Sequence, residues 1–165
     1  MTARIYAACL AAYNNGKLHG AWIDVTYRTA EEIEAEIAAM LKASPEPGAE
    51  EWEVHDSEGL GSSCPSDVDV IVRRAALFVE HGDLADAVLD NHGGNIDWAE
   101  ETLADGVAEY DSWQDWGWEY LESTGSQLPE HLQCHFDYAG FAERTLSHDY
   151  NVFEIDGKIY VCQLA

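Results

Sequence analysis

The sequence predicts an α+β fold, in which short strands near both ends of the chain flank a largely helical middle. Three observations support this prediction: strand-like segments near the N terminus, apolar residues at three- and four-residue spacing through the middle, and a hairpin signal near the C terminus. We expect the 165-residue chain to form three small subdomains. They are an N-terminal α+β subdomain (1–61), a helical acidic subdomain (62–108) and a C-terminal α+β subdomain (109–165).

The first subdomain is predicted to contain one helix and three short strands, at residues 4–10, 21–26 and 52–55. Asn14-Asn15-Gly16 is a turn signal between the first two strands, because Asn and Gly tolerate left-handed backbone angles. Thr29 and Glu32 form a T-x-x-E capping box, which predicts that a helix begins at Ala30. The segment 44–48 contains two prolines and a glycine and therefore ends that helix.

The rest of the chain is predicted to contain helices that begin near Ser66, Asp83, Ile96, Trp113, Pro129 and Tyr138. Capping residues mark three of these starts: Ser66 (with Asp69), Asn95 and Ser112. The helix predicted over 96–109 has an apolar face formed by Ile96, Ala99, Leu103, Val107 and Tyr110. The last two strands, 152–155 and 158–162, are joined by Asp156-Gly157, a strong hairpin signal.

The charge of the chain excludes several classes of function. There are 32 Asp and Glu residues against 8 Lys and Arg residues, so the formal net charge is -24 at pH 7. A nucleic-acid-binding protein needs a basic patch to neutralise phosphates, and an anionic membrane would repel this surface. Disorder is also opposed, because hydrophobic residues make up 47% of the chain and aromatic residues 11%. The sequence therefore predicts a folded core beneath a strongly negative surface.

The negative charge is concentrated in one part of the chain. Residues 1–23 contain no acid, and residues 75–143 contain no Lys or Arg. On the helix predicted over 96–109, four acids recur every four residues opposite the apolar face: Asp97, Glu101, Asp105 and Glu109. Each like-charge pair at this spacing costs about 0.2–0.5 kcal/mol, so helix stability does not favour the pattern. The candidate partner-binding carboxylates are Asp83, Asp86, Asp90, Asp97, Glu100, Glu101, Asp105, Glu109, Asp111, Asp115, Glu119 and Glu122.

Two interpretations of this acidic surface are open. Carboxylates four residues apart on a helix are spaced by about 6 Å along its axis, and the phosphates of one DNA strand rise by about 3.4 Å each. Because the two spacings are of the same order, such a surface could compete with DNA for a binding groove lined with Lys and Arg. The simpler interpretation is an acidic face that contacts only water.

The sequence gives little support to an enzyme or a metalloprotein. It contains no G-x-S-x-G, P-loop, H-E-x-x-H or G-x-G-x-x-G motif, and paired carboxylates carry no signal in so acidic a chain. His131, Cys134 and His135 can share a helix face at ligand spacing, but no convincing fourth ligand is nearby in the sequence. We therefore expect surface histidines, a packed Cys134, no catalytic residue, no metal and no other cofactor.

The ends of the chain and its cysteines indicate a cytoplasmic protein. The N-terminal segment lacks the basic and apolar regions of a secretory signal, and no stretch approaches 18 apolar residues. The four cysteines, at positions 9, 64, 134 and 162, are scattered without a C-x-x-C pair. We expect reduced thiols and no membrane association.

Two tryptophans fall on the outward side of the predicted helices, among the acids. Three interpretations of Trp98 and Trp118 are open. They anchor a protein partner, they contact another subdomain, or the predicted register of these helices is wrong. The acidity also leaves open a salt-adapted protein of unrelated function and a chaperone or binding protein for another basic partner. Salt adaptation predicts acids on all surfaces, and the acid-free first 23 residues argue against it.

Three motifs resemble those of a known family. The first is Tyr-Asn-Asn-Gly-Lys-Leu-His-Gly-Ala-Trp, from Tyr13 to Trp22. The second is Glu-Glu-Trp-Glu-Val-His-Asp-Ser-Glu-Gly, from Glu50 to Gly59. The third comprises Leu128-Pro129-Glu130, Phe136-Asp137-Tyr138 and Phe141-Ala142. Together they span nearly the whole chain, which resembles the ArdA antirestriction proteins carried by plasmids, phages and conjugative transposons.

The resemblance implies a small cytoplasmic DNA mimic that occupies the DNA-binding groove of type I restriction-modification enzymes, at their methyltransferase core. It implies an elongated homodimer of three-subdomain chains that imitates a bent B-form duplex and binds no nucleic acid itself. Residues 128–146 resemble the family's antirestriction motif, which lies near the dimer contact in that family. The implied contact residues are Leu128, Pro129, Glu130, Phe136, Asp137, Tyr138 and Phe141. The segment departs from the usual family pattern at Ala139, Gly140, Glu143, Arg144 and Thr145.

Overall fold

The computed structural model describes residues 2–62, 64–126 and 128–164 of the chain. The chain divides into two compact units, Met1–Ile96 and Asp97–Ala165. Each unit combines helices with a three-stranded antiparallel sheet, so the predicted mixture of helix and sheet is confirmed. The division into three subdomains at residues 61 and 108 stays a prediction.

The first unit has its strands and helices interleaved along the chain. In order they are β1 (Arg4–Cys9), α1 (Leu10–Asn14), β2 (Gly20–Asp24), α2 (Ala30–Lys42), β3 (Trp52–Glu58), α3 (Val68–His81) and α4 (Asp83–Asn91). The strands lie in the order β2-β1-β3. Tyr6 pairs with Asp56 and Ala7 with Val54, so His55 is the extra residue of a β-bulge.

The core of the first unit lies on one face of its sheet. Ile5, Ala7 and Cys9 alternate along β1 and are fully buried, because successive side chains of a strand point to opposite faces. They share one core with residues of α2 and α3: Ile33, Ile37, Met40, Ile71 and Ala75. Full burial of one such aliphatic side chain contributes about 1.5–3 kcal/mol, so these contacts hold the two helices on the sheet.

The two capping predictions in the first unit have different outcomes. The capping box of α2 is confirmed, since the Glu32 N–H donates to Thr29 Oγ1 (3.3 Å) and the Thr29 N–H donates to Glu32 Oε2 (3.0 Å). The prediction that Ser66 caps α3 is wrong. Asp67 is the cap, and its carboxylate accepts from the Val70 N–H at 3.1 Å. The Ser66 hydroxyl is engaged elsewhere, because it accepts a hydrogen bond from a backbone N–H of β3.

The second unit packs helices against the sheet β4-β6-β5. Its elements are α5 (Ile96–Ala104), β4 (Val107–Tyr110), α6 (Trp113–Ser123), α7 (Glu130–Gln133), α8 (Tyr138–Arg144), a 3-10 turn (Leu146–His148), β5 (Tyr150–Ile155) and β6 (Lys158–Gln163). Ile96, the first residue of α5, is the last residue of the first unit. The β5–β6 hairpin is confirmed, with positive φ at both Asp156 (52°) and Gly157 (79°), as the tight hairpin turn requires. Its core residues are Trp116, Ala142, Leu146, Ile159 and Val161.

The helix predicted over 96–109 is shorter in the structure. It ends at Ala104, and Gly106 follows with a left-handed φ of 98°, a conformation in which glycine commonly ends a helix. Residues 107–110 then form β4, which pairs with β6. The structure differs from the sequence pattern in two smaller ways. The short helix α1 is absent from the sequence prediction. The pattern also predicts a helix over 138–146, whereas α8 ends at Arg144.

Candidate functional site

The twelve candidate carboxylates occur in both units, and most of them are exposed. Asp86 and Glu100 are half-buried, and the other ten are exposed. Those ten are Asp83, Asp90, Asp97, Glu101, Asp105, Glu109, Asp111, Asp115, Glu119 and Glu122. An exposed carboxylate is available to a positively charged partner without first being released from the protein interior.

The predicted four-residue stripe is broken at the end of α5. Asp97 and Glu101 lie on this helix, Asp105 follows its last residue, and Glu109 lies on strand β4. The assignment of all four to one helix is therefore wrong. Glu109 also forms an ion pair with Lys158 at the start of β6, and this contact raises the pKa of Lys158. The charge of Glu109 is thus compensated locally, unlike a carboxylate without a basic neighbour.

Sequence reasoning missed Lys158 as a member of this region. The Asp156-Gly157 signal did place Lys158 at the start of a strand, and that position is confirmed. The strand β4 was not predicted, and only as part of this strand does Glu109 lie beside β6 and Lys158. Gly106 was the available signal, since a glycine after a periodic helical segment commonly ends the helix.

The acids of α6 are held by local hydrogen bonds. Ser112 caps the helix as predicted, since its Oγ accepts from the Asp115 N–H at 3.2 Å and donates to an Asp115 carboxylate oxygen at 2.5 Å. Asp115 lies in the first turn, where a negative charge is favoured by the helix dipole. The Tyr110 hydroxyl donates to Glu119 at 3.4 Å. Burial and the nearby Glu119 carboxylate raise the pKa of Tyr110.

The acids of α4 differ in how accessible they are. A β-carbon at Gly61 would lie 2.3 Å from Asp86 Oδ1, so the loop after β3 packs directly on this carboxylate. Asp86 Oδ1 is buried without a hydrogen-bond partner among the described residues. Asp90 is exposed and accepts a hydrogen bond from Ser62 at 3.3 Å. Asp83 and Asp90 are therefore better placed than Asp86 to meet a partner.

The antirestriction-like segment forms α7, α8 and an aromatic cluster. Leu128 is half-buried, Pro129 precedes α7, and Glu130 is its exposed first residue. The ring centroid of Phe136 lies 4.9 Å from that of Tyr138 and 5.8 Å from that of Phe141. Phe136 is also one of the exposed large apolar side chains. The aromatic members of the predicted dimer contact thus lie together, next to solvent.

Asp137 organises the start of α8. Its carboxylate accepts from the Gly140 N–H at 2.8 Å and pairs with Arg144 at 2.8 Å. The Arg144 guanidinium and the Gly140 N–H together hold the pKa of Asp137 below its usual range. A β-carbon at Gly140 would lie 2.1 Å from Arg144 Nη2 and 2.2 Å from Asp137 Oδ2. Gly140 and Arg144, two of the departures from the family pattern, therefore belong to one arrangement.

The first motif, from Tyr13 to Trp22, has a structural role. Asn15 and Lys17 both bind Glu46 after α2, and His19 Nε2 lies 2.8 Å from the Met40 carbonyl oxygen. Gly16 has a φ of 71°, which favours glycine. These contacts fasten the α1–β2 turn to the end of α2.

The second motif, from Glu50 to Gly59, contains the whole of β3 and is linked to the first by Arg4. Two nitrogens of Arg4 donate to the two carboxylate oxygens of Glu58, each at 2.8 Å. The same guanidinium lies 4.6 Å from the ring centroid of Trp22. This bidentate pair and cation–π contact join the two edges of the first sheet across β1.

Solvent exposure tests the predictions for the two outward tryptophans and for Cys134. Trp98 and Trp118 are 57% and 51% exposed, so the predicted helix register is correct at both. Cys134 is exposed, and the expectation that it is packed is wrong, because the four-residue helix α7 buries none of its side chains. Among residues 2–62, 64–126 and 128–164, no three His, Cys, Asp or Glu side chains are grouped as metal ligands would be.

Comparison with known proteins identifies the family. In the part of the chain that the structure describes, no helix has both the length and the apolar character needed to cross a membrane. No curated protein matched the chain. A model of the antirestriction protein (ArdA) family matches residues 5–160, nearly the full length. The chain therefore belongs to the ArdA antirestriction protein family.

Proposed function

We propose that this protein is a DNA mimic that inhibits type I restriction-modification enzymes by occupying the DNA-binding groove of their methyltransferase core. Membership of the antirestriction family supports the class of function. The observation that carries the proposed mechanism is the exposure of ten of the twelve candidate carboxylates, within a sequence that has no Lys or Arg from residue 75 to residue 143.

The mechanism uses the electrostatics of the groove itself. A groove that binds phosphates is lined with positive charge, so an acidic surface speeds the encounter by long-range attraction. A folded mimic holds its carboxylates in place before binding and avoids part of the ordering cost. Phosphate contacts are independent of base sequence, so one inhibitor can block enzymes with different recognition sequences.

We propose further that the protein acts in the cytoplasm as a homodimer, through the surface of α7 and α8. The support for this contact is the exposed Phe136 within its aromatic cluster. Replacement of Phe136 by Ser should shift the sedimentation-equilibrium mass from dimer to monomer. A wild-type mass equal to 18.3 kDa at all concentrations would contradict the dimer.

The proposed function is tested by DNA cleavage with a purified type I restriction enzyme. We expect the protein to block cleavage at near-stoichiometric amounts and inhibition to weaken as salt is raised, because exposed charges are screened over about 8–10 Å. An unrelated protein of similar negative charge serves as the control and should leave cleavage unchanged. Normal cleavage at a large excess of this protein would refute the proposal.

A further inference from the structure

The second unit contains a cavity that has several aromatic side chains in its wall. It has a volume of about 480 Å³ and is lined by residues of β4, β5, β6 and α6. Four of the lining side chains are aromatic: Tyr110, Trp116, Tyr120 and Tyr150. The three tyrosines are half-buried, so the rings line a recess that is open to solvent. We call it the aromatic cavity.

The rings of the aromatic cavity are arranged as adjoining walls. Tyr110 and Trp116 are stacked, with their centroids 6.3 Å apart and an angle of 27° between their planes. Tyr150 meets Trp116 edge to face, with the centroids 5.7 Å apart and an angle of 88°. Trp116 is 2% exposed and packs in the core of the second unit. Faces and edges are therefore held in place before any ligand arrives.

Negative charge accompanies these rings. The exposed carboxylate of Asp105 is part of the cavity lining, and Glu119 accepts the hydrogen bond of the Tyr110 hydroxyl. No Lys, Arg or His lies among the described lining residues. Aromatic faces together with a carboxylate attract a cation and disfavour an anion.

We propose that the aromatic cavity receives an arginine side chain of the enzyme that this protein inhibits, an inference that rests on the proposed function. A guanidinium suits the site better than an ammonium, because it is planar, weakly hydrated and stacks on aromatic rings. Arginines in a DNA-binding groove form bidentate pairs with phosphate. Here Asp105 takes the place of the phosphate, and the rings add a contact that a DNA backbone does not offer.

The test uses N-acetyl-arginine amide as the probe and the full-length protein, observed by NMR at the tryptophan indole N–H groups. We expect saturable shifts at Trp116, with Trp98 and Trp118 unchanged. N-acetyl-citrulline amide has nearly the same shape without the charge and should leave Trp116 unshifted.

Two variants address the two components of the site. Asp105→Asn removes the charge at an exposed position, and Tyr150→Leu removes one aromatic wall. Tyr150→Leu should weaken binding of the probe about 3- to 30-fold, the range expected for a lost cation–π contact. Asp105→Asn should weaken it about 2- to 5-fold, the range expected for a lost ionic contact at an exposed position. Glu143→Gln changes the net charge equally at an exposed position of the second unit that is not part of the cavity lining, and it should change the dissociation constant less than 2-fold.

Several results would overturn the inference. They are the absence of saturation at 100 mM probe, equal shifts with the citrulline analogue, or equal weakening by Glu143→Gln and Asp105→Asn. Failure of the proposed function gives a different pattern. In that case the probe still binds at Trp116, while type I cleavage continues at saturating protein. Inhibition of cleavage without probe binding would instead refute only the arginine site.

Discussion

Removing three carboxylates from the second unit tests whether its acidic surface forms the interface. The triple variant Asp97→Asn, Glu101→Gln, Glu122→Gln changes exposed helical positions in α5 and α6 and leaves the aromatic cavity unaltered. Two opposite charges 4 Å apart in water attract each other by about 1 kcal/mol. Screening at 0.15 M salt reduces this by about 40%, because the Debye length is about 8 Å.

Three such contacts therefore contribute about 2 kcal/mol, which corresponds to a dissociation constant about 30-fold weaker. The cost in folding should be small, because the helix-dipole stabilisation lost at Asp97 in the first turn of α5 is about 0.3–1 kcal/mol and removal of the like-charge pair Asp97–Glu101 offsets part of it. We expect the free energy of unfolding to change by less than about 1 kcal/mol. The two effects separate a loss of binding from a loss of structure.

The assay is titration calorimetry or fluorescence anisotropy against a type I methyltransferase at 0.05 and 0.15 M salt. The control variant Glu31→Gln, Glu34→Gln, Glu50→Gln removes the same charge from exposed positions of the first unit. It should weaken binding about 3-fold or less, through the long-range field alone. An unchanged dissociation constant for the first variant, or the same loss for both, would refute the proposed location of the interface.

Three further predictions concern the second unit. Ser112→Ala removes the side-chain cap of α6 and should lower the free energy of unfolding by about 1 kcal/mol in denaturant titration; an unchanged midpoint would contradict the cap. Gly117→Ala puts a β-carbon 2.2 Å from the Tyr138 carbonyl oxygen. Overpacking costs about 1–3 kcal/mol and exceeds the gain in helix propensity of about 1 kcal/mol, so the Tm of the variant should fall. A rise in Tm would show that α6 and α8 are not in close contact at this position. Burial raises the pKa of the Cys162 thiol to about 11. After treatment with iodoacetamide at pH 8, mass spectrometry should therefore find the label on the exposed Cys134 and not on Cys162; labelling of both cysteines at equal rates would contradict the burial. Because the Cys162 thiol ionises at a lower pH in the unfolded chain, the free energy of unfolding should decline as the pH rises from about 8.5 towards 11.

Local signals in the sequence were sufficient for the elements whose stability is local. The Thr29–Glu32 capping box and the Asp156-Gly157 turn each satisfy backbone groups through residues close in sequence, so both elements could be predicted. Ser66 was misassigned as a cap because its hydroxyl accepts from β3, twelve residues earlier in the chain. A sequence pattern contains no information about such a distant competitor.

The strand β4 shows why part of the candidate site could not be predicted. Val107 and Tyr110 extend the helical spacing of Ile96, Ala99 and Leu103, but their backbones pair with β6, about fifty residues later. Tertiary pairing therefore decided the conformation, and it also brought Glu109 to Lys158. The aromatic cavity has the same origin, because Tyr110, Trp116 and Tyr150 meet only when α6 and both outer strands pack together.

Competition between this protein and DNA for a type I methyltransferase tests DNA mimicry most directly. Labelled duplex DNA containing the recognition site is titrated with enzyme at increasing concentrations of the protein. Mimicry predicts that the apparent dissociation constant for DNA rises in proportion to the protein concentration, and that excess DNA releases the protein. A ternary complex of enzyme, DNA and protein, with the affinity for DNA unchanged, would contradict occupation of the groove.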